Sequence, residues 1–264
     1  MNSKIMNKRA LALMLCTLTL SAASTAAMPY TPALAFESTQ TETDHAVTSA
    51  TVTIRTLEDS YKTEDGKVVK TVMYERPIFE GNSASIRKIN KFYARTQAKW
   101  VKAAKEDMKT VEEDEEYFNS EYFTPYSDEV KTQVTYNRNG IVCILQEGYY
   151  YTGGAHGMPY RVAHTFDLNT GEELSLTDIL SGDDVEIKNT IVSLFEKRMK
   201  KLDYVFDDAL DTVKSTAGTD SQFYLGKHSI IFYYPPYDLA PYAAGYVQCW
   251  MKYTTEGKFK LDLE

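Results

Sequence analysis

The segment from Gly148 to Tyr160, GYYYTGGAHGMPY, contains a histidine, the residue type most often used for acid–base chemistry. His156 could act as a general base if a hydrogen-bonded carboxylate positioned it beside a pocket, and Glu147 is the nearest carboxylate in the sequence. A histidine between glycines can also bond the backbone of its own turn, or contact a partner. The pattern favours a shaped turn with a surface role, so we assign no catalytic residue.

Tyrosines and prolines concentrate in a second segment, from Tyr233 to Tyr246, which contains five tyrosines and three prolines. A rigid proline-containing loop that presents aromatic side chains loses little entropy on binding, so it is a candidate contact surface. The same tyrosines could instead cover the core where a strand bends. The contact candidates, with two residues of the histidine segment added in case the loops adjoin, are Tyr234, Pro236, Tyr237, Tyr242, His156 and Tyr160.

Motifs for other chemistry are missing from the sequence. It has no G-x-S-x-G nucleophile elbow and no H-E-x-x-H zinc motif. Its one cluster of His and Asp contains His156, His164 and Asp167, and strand alternation sends the last two to opposite faces. We therefore predict neither a metal site nor a cofactor.

The N-terminus has the pattern of an export signal. A basic start is followed by an uncharged apolar run and by the small-residue sequence ALA at residues 33–35, which predicts a signal peptide over residues 1–35. The protein is then secreted or extracytoplasmic, or membrane-anchored if the signal is not cleaved. Residues 36–49 are rich in Ser and Thr and predict a disordered linker. No later segment is long and apolar enough to span a membrane.

The charge balance is acidic. The sequence carries 29 Lys and Arg against 37 Asp and Glu, a net charge of −8, and three of the basic residues lie within the predicted signal peptide. This balance argues against nucleic acid and anionic membranes as partners. It fits a basic protein partner, and it also fits simple solubility.

Turn signals and periodicity predict an α+β fold of antiparallel sheets with packed helices, in two sub-domains of one compact module. Asp65-Gly66 and Asn139-Gly140 each separate alternating runs, which is typical of hairpins. One helix should begin after a cap at Asn82 or Ser83, and another should cover about 184–201. The buried stripe expected on the first helix is Ile86, Ile89, Tyr93, Trp100, Ala104 and Met108.

The predicted sub-domains divide the chain at the histidine segment. Residues 50–155 form the N-terminal one, with a hairpin, a helix and a second hairpin, and residues 156–264 form the C-terminal one. Cys143 and Cys249 both lie in strand-like runs, so they either pair across neighbouring strands or stay as two buried thiols.

Three motifs, taken in order, resemble a known family. The stretches YYYTGGAHG, FDLNTGEELSLTDIL and YPPYDLAPYAAGY are similar to the extracellular domain of RsiV-type anti-sigma factors, a module also found ahead of peptidoglycan deacetylase domains. The resemblance implies an extracytoplasmic module without established catalytic residues. In the anti-sigma relatives this module binds lysozyme, which is basic.

The expected function is therefore that of a secreted, non-catalytic binding or sensing module of the bacterial cell envelope. Its candidate partners are lysozyme, another cell-wall-associated protein or an envelope ligand. The alternative is a cell-wall glycan hydrolase that uses His156 and nearby carboxylates.

Overall fold

Two mostly antiparallel β-sheets, with helices packed against them, make up the part of the chain that the computed structural model describes, residues 46–113 and 115–264. These described residues form one compact unit. This architecture confirms the predicted α+β class. The predicted signal peptide, and residues 36–45 of the predicted linker, lie outside the described residues. At the end of the linker, the backbone N–H of Val47 donates to Asn169 Oδ1 at 2.9 Å.

The larger sheet has five strands in the order β1-β2-β3-β4-β5. The strands are β1 (Val52–Lys62), β2 (Val68–Phe79), β3 (Tyr126–Arg138), β4 (Ile141–Tyr151) and β5 (Met158–Asp167). The β1–β2 and β3–β4 hairpins close at the two predicted turns. Asn139 and Gly140 both have positive φ, 52° and 76°, as a two-residue hairpin turn that follows the strand twist requires.

The sheet departs from the antiparallel prediction at one place, because β2 and β3 pair in parallel. A parallel neighbour needs a long crossover connection. The connection here contains helix α1 (Ala84–Glu113) and the short helix α2 (Glu115–Phe118). Ser83 caps α1 as predicted, since its Oγ accepts the Ile86 N–H at 3.1 Å.

Helix α1 buries its predicted stripe against the larger sheet. The buried members are Ile86, Ile89, Tyr93, Trp100 and Ala104. The side chain of Met108, the last predicted member, lies outside the part of the molecule that the structure describes. The stripe therefore positions the helix across the strands that lead to the histidine segment.

The smaller sheet has three strands in the order β6-β7-β8. They are β6 (Phe223–Leu225), β7 (Ser229–Tyr234) and β8 (Val247–Lys252). Before this sheet come helices α3 (Leu176–Ile179), α4 (Asp184–Met199) and α5 (Ala209–Thr216), and a 3₁₀ turn covers Tyr242–Ala244. Helix α4 begins where the sequence predicts, behind a capping box of Asp183 and Glu186.

One hydrophobic cluster joins the two sheets. It contains Cys143 of β4 and Cys249 of β8, and the two thiols are free and buried. Burial raises the pKa of both thiols. The boundary predicted between residues 155 and 156 falls in the turn between β4 and β5, which pair over ten positions of the larger sheet. Across residues 46–113 and 115–264, none of the helices is both long and apolar enough to cross a membrane.

Candidate binding surface

The histidine segment and the tyrosine–proline segment meet at the surface. The first forms the loop between β4 and β5, and the second forms the loop between β7 and β8. The His156 ring stacks on the Tyr242 ring with centroids 3.9 Å apart and planes 22° apart. Tyr237 completes the contact, with its hydroxyl 3.4 Å from His156 Nε2. We call the set Tyr149, His156, Tyr237 and Tyr242 the aromatic patch.

Gly157 lies at the centre of these contacts. Its N–H donates to the Tyr149 hydroxyl at 2.8 Å, and its carbonyl accepts from the Tyr242 hydroxyl at 2.9 Å. A Cβ at this position would lie 2.4 Å from the Tyr150 carbonyl oxygen and 2.6 Å from the Tyr149 ring. Only glycine lets the backbone approach so closely, so residue 157 fixes the two tyrosines relative to each other.

His156 is held by its own turn. Its Nδ1 lies 2.9 Å from the Gly157 carbonyl oxygen. Because a carbonyl can only accept, this contact assigns the proton to Nδ1 and leaves Nε2 to accept from Tyr237. Glu147, the carboxylate considered as its catalytic partner, bonds Arg161 instead, with Arg161 Nε and Nη2 each 2.7 Å from Glu147 Oε1.

Tyr237 has an unusual backbone conformation. Its φ is +73°, in the left-handed region that costs a non-glycine residue about 1–2 kcal/mol. Two hydrogen bonds fix the turn, from Asp238 N–H to the Pro235 carbonyl at 3.3 Å and from Tyr237 N–H to the Ala240 carbonyl at 2.9 Å. The side chain is 50% exposed. The chain thus holds a large aromatic ring at the surface in an unfavourable conformation.

Three of the six predicted contact residues do not lie in the aromatic patch. Pro236 is buried. The Tyr234 ring packs against Phe195 with centroids 5.0 Å apart, and its hydroxyl lies 2.7 Å from Thr216 Oγ1. These contacts direct the Tyr234 side chain towards helices α4 and α5.

Tyr160 is the third. It fills the space left by the missing side chain of Gly148, and a Cβ there would lie 1.9 Å from the Tyr160 ring. Trp100 Nε1 donates to the Tyr160 hydroxyl at 3.3 Å, and burial raises the pKa of this hydroxyl strongly. Tyr160 therefore packs under helix α1. The structure instead adds Tyr149, which is 38% exposed and which the sequence reasoning missed.

Arg161, which is partly buried, lies against a tyrosine at the end of the loop that carries Tyr237. The Arg161 guanidinium carbon is 4.0 Å from the centroid of the Tyr246 ring. Burial raises the pKa of the Tyr246 hydroxyl to about 12, although the charge of Arg161 acts in the opposite direction. Among the described residues no group of three or more His, Cys, Asp or Glu side chains has the arrangement of a metal site.

Comparison with protein families matches two successive parts of the chain. Residues 63–159 match the family described as deacetylase PdaC, and residues 177–254 match a family described as a protein of unknown function, DUF3298. We call residues 63–159 the PdaC region and residues 177–254 the DUF3298 region, after the families that they match. No curated protein matches it. The two matches agree with the resemblance to modules found with deacetylase domains, while the RsiV relationship stays a prediction.

Two solved structures of the DUF3298 family share the fold. A member from Bacteroides fragilis is 19% identical with a TM-score of 0.59, and the match covers 81% of this chain and 95% of that one. A family protein from Pseudomonas aeruginosa PAO1 is 22% identical with a TM-score of 0.55, covering 80% of this chain and 94% of that one. At these identities the similarity concerns the fold alone.

The aromatic patch combines residues from both matched regions. Tyr149 and His156 lie in the PdaC region, whereas Tyr237 and Tyr242 lie in the DUF3298 region. The ring stack between His156 and Tyr242 therefore bridges the two. A surface built in this way exists only when both regions are folded together.

Proposed function

We propose that the protein is an extracytoplasmic binding module that holds a protein partner at the aromatic patch. The observation that carries this proposal is Tyr237, a half-exposed ring kept at φ +73° by a fixed turn and supported by His156. Backbone strain of this kind is typical of functional surfaces, because packing alone does not require it. Aromatic anchors on rigid loops bind with little loss of entropy.

The candidate partner is a basic protein, and lysozyme is the one to test first. Two observations support the choice: the net charge of −8 and the three motifs that resemble the lysozyme-binding module of anti-sigma factors. Opposite net charges accelerate encounter and add an attraction that salt weakens. The export signal predicted over residues 1–35 would bring the protein to the compartment in which lysozyme acts.

The test is titration of the purified protein with lysozyme at low and at high salt, alongside a muramidase assay. We expect micromolar or tighter binding that weakens as salt rises. Reduced muramidase activity in the same mixtures would identify the protein as an inhibitor as well as a binder. An absence of binding at low salt would contradict lysozyme as the partner.

The variant His156→Ala distinguishes the binding function from the alternative hydrolase function. His156→Ala should abolish release of sugars from cell-wall glycan if His156 is a catalytic base. If His156 is one contact among several, the same variant should instead weaken binding by about 1–2 kcal/mol. The bond between Glu147 and Arg161 favours the second result, because it occupies the carboxylate nearest to His156 in the sequence.

A further inference from the structure

A groove separates helix α4 from the free edge of the smaller sheet. Strand β8 is the last strand of that sheet, so one of its edges has no strand beside it. The groove has a volume of about 610 Å³, and its lining includes Leu194 and Lys197 of α4 together with Trp250 and Lys252 of β8. Trp250 is 52% exposed. This groove contains no residue of the aromatic patch.

The hydrogen bonds around β8 show which backbone groups face the groove. The Gln248 carbonyl accepts from Arg198 Nε of α4 at 3.2 Å, so the backbone of residue 248 points away from β7. Tyr253 lies an odd number of residues after Gln248, and its N–H points to the other side of the chain. It donates to the His228 carbonyl at 3.3 Å, on the β7 side. Backbone direction alternates along a strand, and therefore residues 248, 250 and 252 present their N–H and C=O groups to the groove.

The backbone of Trp250 is the open position on this edge. Arg198 occupies the carbonyl of residue 248 at one end, and Thr255 N–H donates to the Lys252 carbonyl at 3.0 Å at the other end. By this alternation the N–H and C=O of Trp250 face the groove, where none of the described strands pairs with them. An open donor and acceptor on an edge strand form a template for one more strand.

Lysines surround this template. Lys197, Lys252 and Lys258 all line the groove and are exposed. None of the three forms an ion pair with a described carboxylate. Glu186, the acidic residue of the lining, accepts the Asp183 N–H at 3.1 Å in the helix cap. A positive groove on a chain with net charge −8 favours an acidic occupant.

We propose that this groove binds an extended acidic peptide, which adds a strand to β8. Main-chain hydrogen bonds at Trp250 would fix the register, and the three lysines would select carboxylates on the peptide. This is the strand-addition mode of peptide recognition, and helix α4 forms the second wall of the groove. An anionic glycan could satisfy the lysines, but it has no polypeptide main chain to pair with the edge of β8.

The experiment uses the peptide (Glu-Thr)₄ as the probe, labelled with fluorescein and titrated by anisotropy. Two further peptides of equal charge carry N-methyl groups, one on every threonine and the other on every glutamate. Strand addition predicts that one N-methylated peptide loses binding and the other keeps it, because only one edge of the peptide faces β8. Binding at the groove should also protect Trp250 from acrylamide quenching, since Trp100 is 5% exposed and hardly quenched in either state.

A matched pair of variants tests the role of charge. Lys197→Glu should weaken binding of (Glu-Thr)₄ by about tenfold, while Lys201→Glu, just beyond the end of α4 and outside the groove lining, should change it by less than about twofold. Equal binding by both N-methylated peptides would overturn strand addition. So would no saturable binding of the unmodified peptide, or binding of an oligogalacturonate probe in its place.

Discussion

Exchanging alanine and glycine at position 237 should reverse their usual order of stability. Tyr237→Ala and Tyr237→Gly both remove the ring, so the loss of ring contacts is common to the two variants. Alanine keeps the cost of φ +73°, which is about 1–2 kcal/mol, whereas glycine adopts this conformation freely. Glycine loses about 0.5–1 kcal/mol through the greater freedom of its unfolded chain. We therefore expect Tyr237→Gly to be the more stable variant by about 0.5–1 kcal/mol.

The assay is urea denaturation of both variants, with the free energy of unfolding extrapolated to water. Tyr149→Ala and Tyr149→Gly form the control pair, because Tyr149 lies in strand β4 and does not have a positive φ. There the alanine variant should be the more stable one, by about 0.5–1 kcal/mol. If alanine is also more stable at position 237, the argument that the turn imposes strain on Tyr237 is refuted.

Three further predictions concern the surroundings of the site. Gly148→Ala places a methyl group 1.9 Å from the Tyr160 ring and should cost about 1–3 kcal/mol in urea denaturation, so an unchanged midpoint contradicts the packing. Cys143 and Cys249 are buried and should react with a thiol reagent only after denaturant is added, while rapid labelling of the native protein would contradict their burial. Burial raises the pKa of Tyr246 from 10.0 to about 12, so the unfolded state loses this proton first. The stability that this shift contributes is complete below pH 10 and is lost as pH rises towards 12. Between these pH values the urea midpoint of Tyr246→Phe should fall less steeply than that of the unmodified protein. An equal fall in the two proteins would contradict the raised pKa of Tyr246.

Local signals in the sequence predicted most of the secondary structure. Asn139-Gly140 predicts a hairpin because both residues readily adopt positive φ, and the structure places them there. The spacing of Ile86, Ile89 and Tyr93 predicts the buried face of α1, and all three are buried. These features depend on residues close together in the chain, so they can be recognised without the tertiary structure.

The pairing of strands could not be predicted in the same way. The parallel contact between β2 and β3 joins Lys70 to Tyr126 across a long helical connection. No turn signal marks such a contact, because a long helical connection separates the two strands in the sequence. Both predicted hairpins are therefore present, but their arrangement within one sheet could be known only from the structure.

The candidate site was predicted in part for a similar reason. The sequence indicated that two aromatic loops could adjoin, and His156, Tyr237 and Tyr242 are in contact. It could not show that Tyr237 is exposed while the Tyr234 ring packs against Phe195, because the side to which each ring points depends on the tertiary structure. The positive φ of Tyr237 also had no sequence signal, because such turns usually carry glycine at this position.

The most direct test of the account compares Tyr237→Ala with Tyr122→Ala in binding to lysozyme at low salt. Tyr122 is a matched control, because it is 79% exposed and is not part of the aromatic patch. We predict that Tyr237→Ala weakens the affinity by about tenfold or more, as expected for an anchor residue, and that Tyr122→Ala leaves it unchanged. Equal affinities for the two variants would contradict the claim that the aromatic patch holds the partner.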